Sequence, residues 1–335
     1  MIVLLSSFIP SIVLLIDVPA IELLFLRTLA AFVMLLVLMN KQVSPSLFTR
    51  KAIMHMLASG ILVFLYWGLS FISAKISTAS VCLVGMATTS LWISFLDPLL
   101  SKRKSRPFQV LVGMNAILGI YIIFNSDFDY GWGLAIGIIG AIFGALLTIY
   151  NAKLAHQHDA YVVTFYQMGG ALISTTIFLP FYYYFFLVPE GKSFQFNASP
   201  TDYMLILGLA FVFSIYAYSI FISIMKSIPP FTVALVSNLN PVYGTAAAIL
   251  LFQETVMNTG FYIGTGLLLL SVFTYPILSD YMKNYKKTQI ENLKNKEEKN
   301  TGKNTGKNTG KNTGKNTDKN TDKNTEKIQK KSLPI

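Results

Sequence analysis

Charge and cysteine are what this chain has least of. Only 13% of its 335 residues are Asp, Glu, Lys or Arg, about half the share a soluble domain carries. Cys82 is the single cysteine, so neither an intrachain disulfide nor a cysteine-based metal site can form. Its expected part is that of a small buried apolar residue. The three histidines and the acids fall near the ends of apolar runs. They assemble no acid, base, nucleophile or metal set at one depth, which argues against an enzyme. His156 and His158, in HQHD, are too few for a metal site, and no cofactor is implied. A GxxxxGK[ST] phosphate loop is missing, which speaks against a nucleotide-driven machine. The N-terminus lacks the charged lead and small-residue cleavage site of a secretory signal.

What the chain has instead is apolar length. It is 53% hydrophobic, with a mean hydropathy of +0.54. Its apolar runs suit helices of about 20 residues, the length that spans roughly 30 Å of hydrocarbon. Ten candidate spans follow: 1–16, 19–39, 53–74, 78–100, 108–125, 131–152, 160–187, 203–225, 231–252 and 258–279. The expected fold class is an all-α integral membrane protein with ten transmembrane helices, the first of them short.

The net charge of +11 is unevenly spread. From Lys283 onward there are 15 lysines and 6 acids, so the basic character belongs to the tail. That tail repeats NTGK four times, then NTDK twice, then NTEK. It has no apolar face with which to pack a core, so residues 283–335 read as a disordered, basic cytoplasmic tail. It holds a single aromatic, Tyr285, too few for base stacking, so no nucleic-acid partner is expected. In the body, Lys41, Arg50, Lys51, Lys102, Arg103, Lys104, Arg106, Lys153 and Lys226 follow even-numbered spans. Asp17, Asp127, Asp129, Glu190 and Asp202 follow odd-numbered ones, opposed only by Lys75 and Lys192. Positive residues favour the cytoplasmic side, so the chain is expected to be multi-pass in the cell membrane with both termini cytoplasmic.

Ten spans divide into two fives. Spans 3–4 and 8–9 align without a gap at an offset of 152, which sets Tyr66 on Tyr218, Val81 on Val233 and Leu83 on Leu235. A five-span unit repeated once must invert, and inverted repeats with a midplane site are the construction of many secondary transporters. The expected units are residues 1–125 and 126–282. Three stretches then carry a resemblance: SSFIPSIVLLIDVPAIELLFLRTLAAF, GLAIGIIGAIFGALLTIYNAKLAHQHDAYVVTFYQMGGALI and AYSIFISIMKSIPPFTVALVSNLNPVYGTAAAILLFQETV. In order and spacing they resemble the EamA-type ten-helix members of the drug/metabolite transporter superfamily, over about residues 5–280. The resemblance implies two inverted five-helix repeats, and export or exchange of small metabolites such as amino acids or related compounds. The chain departs from relatives where Asn240 replaces a glutamate before the span-9 proline, and Lys102 stands at the position that Glu254 holds in the second repeat.

Candidate binding residues are the polar and aromatic groups at membrane depth. VSNLNPVYG (236–244) interrupts an apolar run. Pro241 withdraws an amide proton from the helix, while Asn238 and Asn240 add polar groups tolerated only against protein or a watery cavity. Asn240 and Tyr243 share a face that either lines a central cavity or serves as glue between helices. Arg27 lies about 10 Å into span 2 at 1.5 Å per residue; it binds substrate, pairs with Glu22 or Glu254, or snorkels to the headgroups. Tyr166 and Gln167 occupy its counterpart in the second repeat. Tyr66, Trp92 and Tyr218 complete the set. The expected partners are a small-molecule substrate and the lipid bilayer, and both a monomer and a homodimer are compatible with the sequence. The competing class is a membrane receptor or structural protein without transport activity, against which the repeat speaks. Deleting residues 289–335 is expected to leave metabolite flux unchanged at equal membrane abundance, as measured by transport in cells expressing the truncated chain.

Overall fold

The structure is a computed structural model. It describes residues 2–39, 48–101, 129–196, 198–252 and 258–267, with single positions at 115, 118, 119, 121, 122, 270, 274, 285, 288 and 289. The expected span at 108–125, much of that at 258–279, Lys102, Glu254, Asn197 of the N-x-[ST] acceptor pattern Asn197-Ala198-Ser199, and most of the lysine-rich tail lie outside the described residues. Met1–Leu278 and Ser279–Ile335 form two separate units. All the helices that follow belong to the first.

Among the described residues the chain is helical, without a strand. Six helical stretches are long and apolar enough to cross a membrane, and the protein is an integral, multi-pass membrane protein. Three begin as helices: α3 (Ala20–Met39), α4 (Arg50–Ile76) and α7 (Gly131–Ala155). A fourth is α8 (Ala160–Tyr182), which continues through a π-helical turn and a 3₁₀ turn to Glu190. The fifth runs from α9 (Pro200–Gly208) through a π-helical segment (Leu209–Ala217) into α10 (Tyr218–Ile224). The sixth, Ala79–Leu100, is interrupted at Thr88 into α5 (Ala79–Ala87) and α6 (Thr89–Ser101). At the N-terminus α1 (Ile2–Ser7) and α2 (Ile9–Leu15) are separated at Phe8, with Pro10 at the start of the second piece. Near the end of the described chain, α11 (Pro230–Ser237) and α12 (Asn240–Phe252) are separated at Asn238 and Leu239.

Local chemistry sets the helix starts. Helix ends leave backbone donors without intrahelical partners, and short polar side chains accept from them. Thr49 accepts from Ala52 N at the head of α4, Thr78 from Val81 N at α5, and Asp159 from Tyr161 N at α8. Ser199 and Asp202 form a reciprocal capping box on α9, with Pro200 in the first turn. That box is also a tertiary contact. Asp17 N donates to Asp202 Oδ1, and Lys75 Nζ donates to Ile16 O. Three loops are thereby tied together at one end of the bundle.

The bundle is assembled around α4, which packs along α7 and α8. Its closest approach is backbone to backbone. A Cβ on Gly170 would sit 2.0 Å from Leu57 O, and one on Gly60 would sit 2.6 Å from Gly170 C. Without a hydrophobic force between helices in lipid, such close packing is what holds them together. The row Gly133, Gly137, Gly140 and Gly144 on α7 serves the same end against α4 and α5. Gly170→Val is expected to destabilise the fold by on the order of 3 kcal/mol through overpacking, lowering the melting midpoint and the monodisperse yield in detergent. Gly208→Ala, where nothing lies within 4 Å of an added Cβ, is expected to leave both unchanged or improved.

Candidate functional site

The two interrupted helices meet at their interruptions. The Asn238 side chain is 2% exposed. Its amide nitrogen faces two carbonyls and donates to Ala87 O at 2.7 Å and Ala234 O at 3.1 Å, while its oxygen accepts from Ser90 Oγ at 2.8 Å. Thr88 and Thr89 return their hydroxyls to Gly85 O and Met86 O at 2.8 and 2.7 Å. Ser237 Oγ does the same for Val233 O at 3.0 Å. Carbonyls where α5 and α11 end are therefore satisfied by side chains rather than by water, as membrane depth requires. Asn240 is tied to the N-terminal helix, its Oδ1 accepting from Ser6 Oγ at 3.1 Å.

Beside this crossing lies a cavity of about 310 Å³. Its walls are mostly apolar, from α1, α4, α5, α7, the π-helical segment, α10 and α11, with Leu147, Phe213, Phe221 and Val233 prominent. Arg27, Tyr66, Tyr218, Asn238 and Asn240 all line it. No residue of the end where Ile16, Lys75 and Asp202 meet does so. In the other direction the lining reaches Ile224 and Ile228. Ile228 also lines a second cleft, of about 560 Å³, shared with Asp97, Lys153, His156 and Lys226. The cavity thus extends from mid-bundle toward the end that carries those ionisable residues.

Arg27 is the one charged residue among the described lining residues. It is 1% exposed, so it does not snorkel to the headgroups. Its Nε donates to Ser214 Oγ at 2.8 Å, and Ser214 Oγ donates on to Leu209 O at 3.2 Å. Ser214 sits within the π-helical segment, a widened geometry common at functional positions. The guanidinium carbon lies 4.2 Å from the centroid of the Trp67 ring and 5.4 Å from that of Phe71. No carboxylate pairs with Arg27 among the described residues, and its Nη1 is buried with no hydrogen-bond partner. A cation at the bilayer centre costs about 2.5–3.5 kcal/mol on insertion scales. A desolvated cation–π contact returns about 2 kcal/mol, so the aromatic seat offsets much of that cost without neutralising the charge.

Behind Tyr218 stands a closed polar ring. Tyr218 OH donates to Gln167 Oε1 at 2.8 Å, Asn151 Nδ2 donates to Tyr218 OH at 3.0 Å, and Gln167 Nε2 donates to Asn151 Oδ1 at 2.7 Å and to Ser59 Oγ at 2.8 Å. The ring holds Tyr218 edge-on to Trp67, with centroids 5.5 Å apart. Trp67 in turn carries Arg27. The Tyr66 ring, also on the cavity wall, rests where Gly144 leaves room for it; a Cβ there would lie 2.6 Å from Cε2.

The structure thus brings five of the nine sequence candidates to one cavity and puts Gln167 directly behind it. The other three stand elsewhere. Tyr166 is buried against Phe165 and Phe48. Trp92 is partly buried, with its Nε1 lacking a partner. Tyr243 is 43% exposed and does not line the cavity, although Asn240 three residues earlier does. The sequence reading missed Asn151, Ser59, Ser214 and Ser6. Asn151 alone carried a signal, as an amide inside an otherwise apolar run.

Residues 131–275 match the family model described as the EamA-like transporter family. No curated protein matches the chain significantly. Among solved structures, one crystal structure whose description names no activity superposes with a TM-score of 0.60 at 15% identity, covering 83% of this chain and 95% of that one. At that identity the likeness concerns the fold. The match over α7 to α12, on an all-helical multi-pass membrane protein, supports membership of the drug/metabolite transporter superfamily.

Proposed function

We propose that the protein is a secondary transporter that exports or exchanges small organic metabolites across the cell membrane by alternating access. The observation that carries this reading is the mid-bundle cavity with an unpaired, fully buried cation on its wall. At about 310 Å³ it falls within the size of small-molecule sites, and it shares their mostly apolar lining with a few convergent polar groups. The family resemblance points to amino acids and related compounds.

Two further readings belong to the same proposal. The first is the ten-helix plan of two inverted five-helix repeats, 1–125 and 126–282, with residues 283–335 as a tail. Its support is that α5–α6 and α11–α12 are interrupted at nearly equivalent points under the 152-residue offset, as in transporters whose discontinuous helices meet at the site. The second is orientation. Arg50, Lys51, Lys153 and Lys226 sit at the ends of helices, and Lys153 and Lys226 line the cleft toward which the cavity extends, which supports a cytoplasmic assignment for that side. The knot of Asp17, Lys75 and Asp202 would then close the outer side, and the conformation described would face inward.

The test is flux at equal membrane abundance, for metabolites found to move when the wild-type chain is expressed. Asn240→Ala removes a cavity amide and is expected to lower flux about fivefold to tenfold, the worth of one hydrogen bond. Ala217→Phe, which fills the cavity, is expected to abolish it. Tyr243→Phe, outside the cavity, is expected to leave it unchanged. Full activity in the first two variants would reject the cavity as the transport site.

A further inference from the structure

Resting on the transport reading above, the geometry points to the charge class of the substrate. We infer that the cavity takes an organic monoanion, a carboxylate on an apolar body, with Arg27 as its counter-charge, rather than a zwitterionic amino acid or an amine. Three observations carry this.

The first is the state of Arg27. Its Nε is committed to Ser214, its Nη1 is buried with no partner, and the residue lines the cavity. A buried donor left unsatisfied is costly, and a charged one more so. A carboxylate reaching the guanidinium from the cavity would offset that cost with a charge-assisted hydrogen bond.

The second is what the cavity lacks. No Asp or Glu occurs among its described lining residues. An ammonium group would enter beside an unneutralised guanidinium with no carboxylate to receive it, in surroundings that screen poorly. The hydroxyls of Thr89, Thr148 and Ser237 are already given to Met86 O, Gly144 O and Val233 O. The donors without a partner among the lining residues, on Arg27, Asn240, Trp67, Tyr66 and Thr232, can all serve an oxygen-rich anionic end, and none of them carries the negative charge that an ammonium group would need.

The third is the count of charge. One cation balances one anion; a dianion would bring a surplus negative charge against walls formed by Phe213, Ala217, Phe221 and Val233. Those walls suit an apolar or aromatic body. Deaminated or N-acylated counterparts of the apolar amino acids have this chemistry.

Two experiments on the full chain test the inference. In detergent, the melting temperature of the purified wild type is measured with phenylacetate, phenylalanine and phenethylamine, which share a ring and differ in charge. Phenylacetate is expected to stabilise the protein, and Arg27→Gln to weaken that binding by about tenfold or more. Equal or greater stabilisation by phenylalanine or phenethylamine overturns the inference without any variant having to fold. In cells, the metabolites displaced across the membrane by wild-type expression are sorted by charge. A displaced set of monocarboxylates, lost in Arg27→Gln at equal abundance and partly kept in Arg27→Lys, supports it. Displacement of amino acids or amines overturns it while leaving transport intact. Stabilisation by phenylacetate with no metabolite displaced keeps the anion site and rejects the transport reading instead.

Discussion

Lipid offers a backbone no hydrogen bonds, and the centre of this protein is organised around that fact. Interrupting a helix at membrane depth leaves carbonyls that must be answered by protein. Here two interruptions are placed against each other, and one amide, that of Asn238, serves both: Ala234 O in its own helix and Ala87 O in the other. Had the breaks been apart, each would have needed its own set of polar side chains. Set together, they cost one asparagine and a few hydroxyls, and they free the neighbouring volume for a cavity.

Around that crossing, polarity is graded. Asn238, Thr88 and Ser237 are spent on the backbone. Gln167, Asn151 and Ser59 are spent on orienting Tyr218. Arg27 is supported on one edge by Ser214 and on its face by Trp67, yet keeps a donor unused. A polar group fully satisfied by its neighbours belongs to the scaffold; one that the scaffold holds in place but does not satisfy has an interaction in reserve. By that criterion Arg27 differs from Asn238, Asn151 and Gln167, whose polar atoms are all given to neighbours.

Much of the architecture is legible in the sequence. The expected spans 19–39, 131–152 and 203–225 fall within a few residues of Ala20–Met39, Gly131–Ala155 and Pro200–Ile224, because apolar length is set by bilayer thickness and needs no tertiary information. The break between α11 and α12 is legible too, since NLNP places two amides and a proline where a helix cannot easily continue. The matching break at Thr88 is not. Its sequence, ATTSLW, has neither glycine nor proline, and its hydroxyls cap the carbonyls behind them. Side-chain direction is the least legible feature. Helices that are apolar on every face give no amphipathic signal of which side looks inward. Arg27 and Asn240 stand out because polar groups must avoid lipid, whereas Tyr243, Trp92 and Tyr166 carry aromatic rings that lipid, core and cavity all accept.

The crossing of Gly60 and Gly170 has a mechanical consequence. With no side chain between the two backbones, there is no compressible layer along which α4 and α8 could slide or tilt, and packed interiors switch between discrete arrangements rather than deforming smoothly. Those helices form a fixed axle. In the proposed access cycle, displacement would fall to the segments with softer joints: the interrupted pairs α5–α6 and α11–α12, and the π-helical stretch that carries Ser214. A rotation of that stretch would carry away the hydroxyl that steadies Arg27, so that grip on an anion and the direction in which the cavity opens would be set by the same movement.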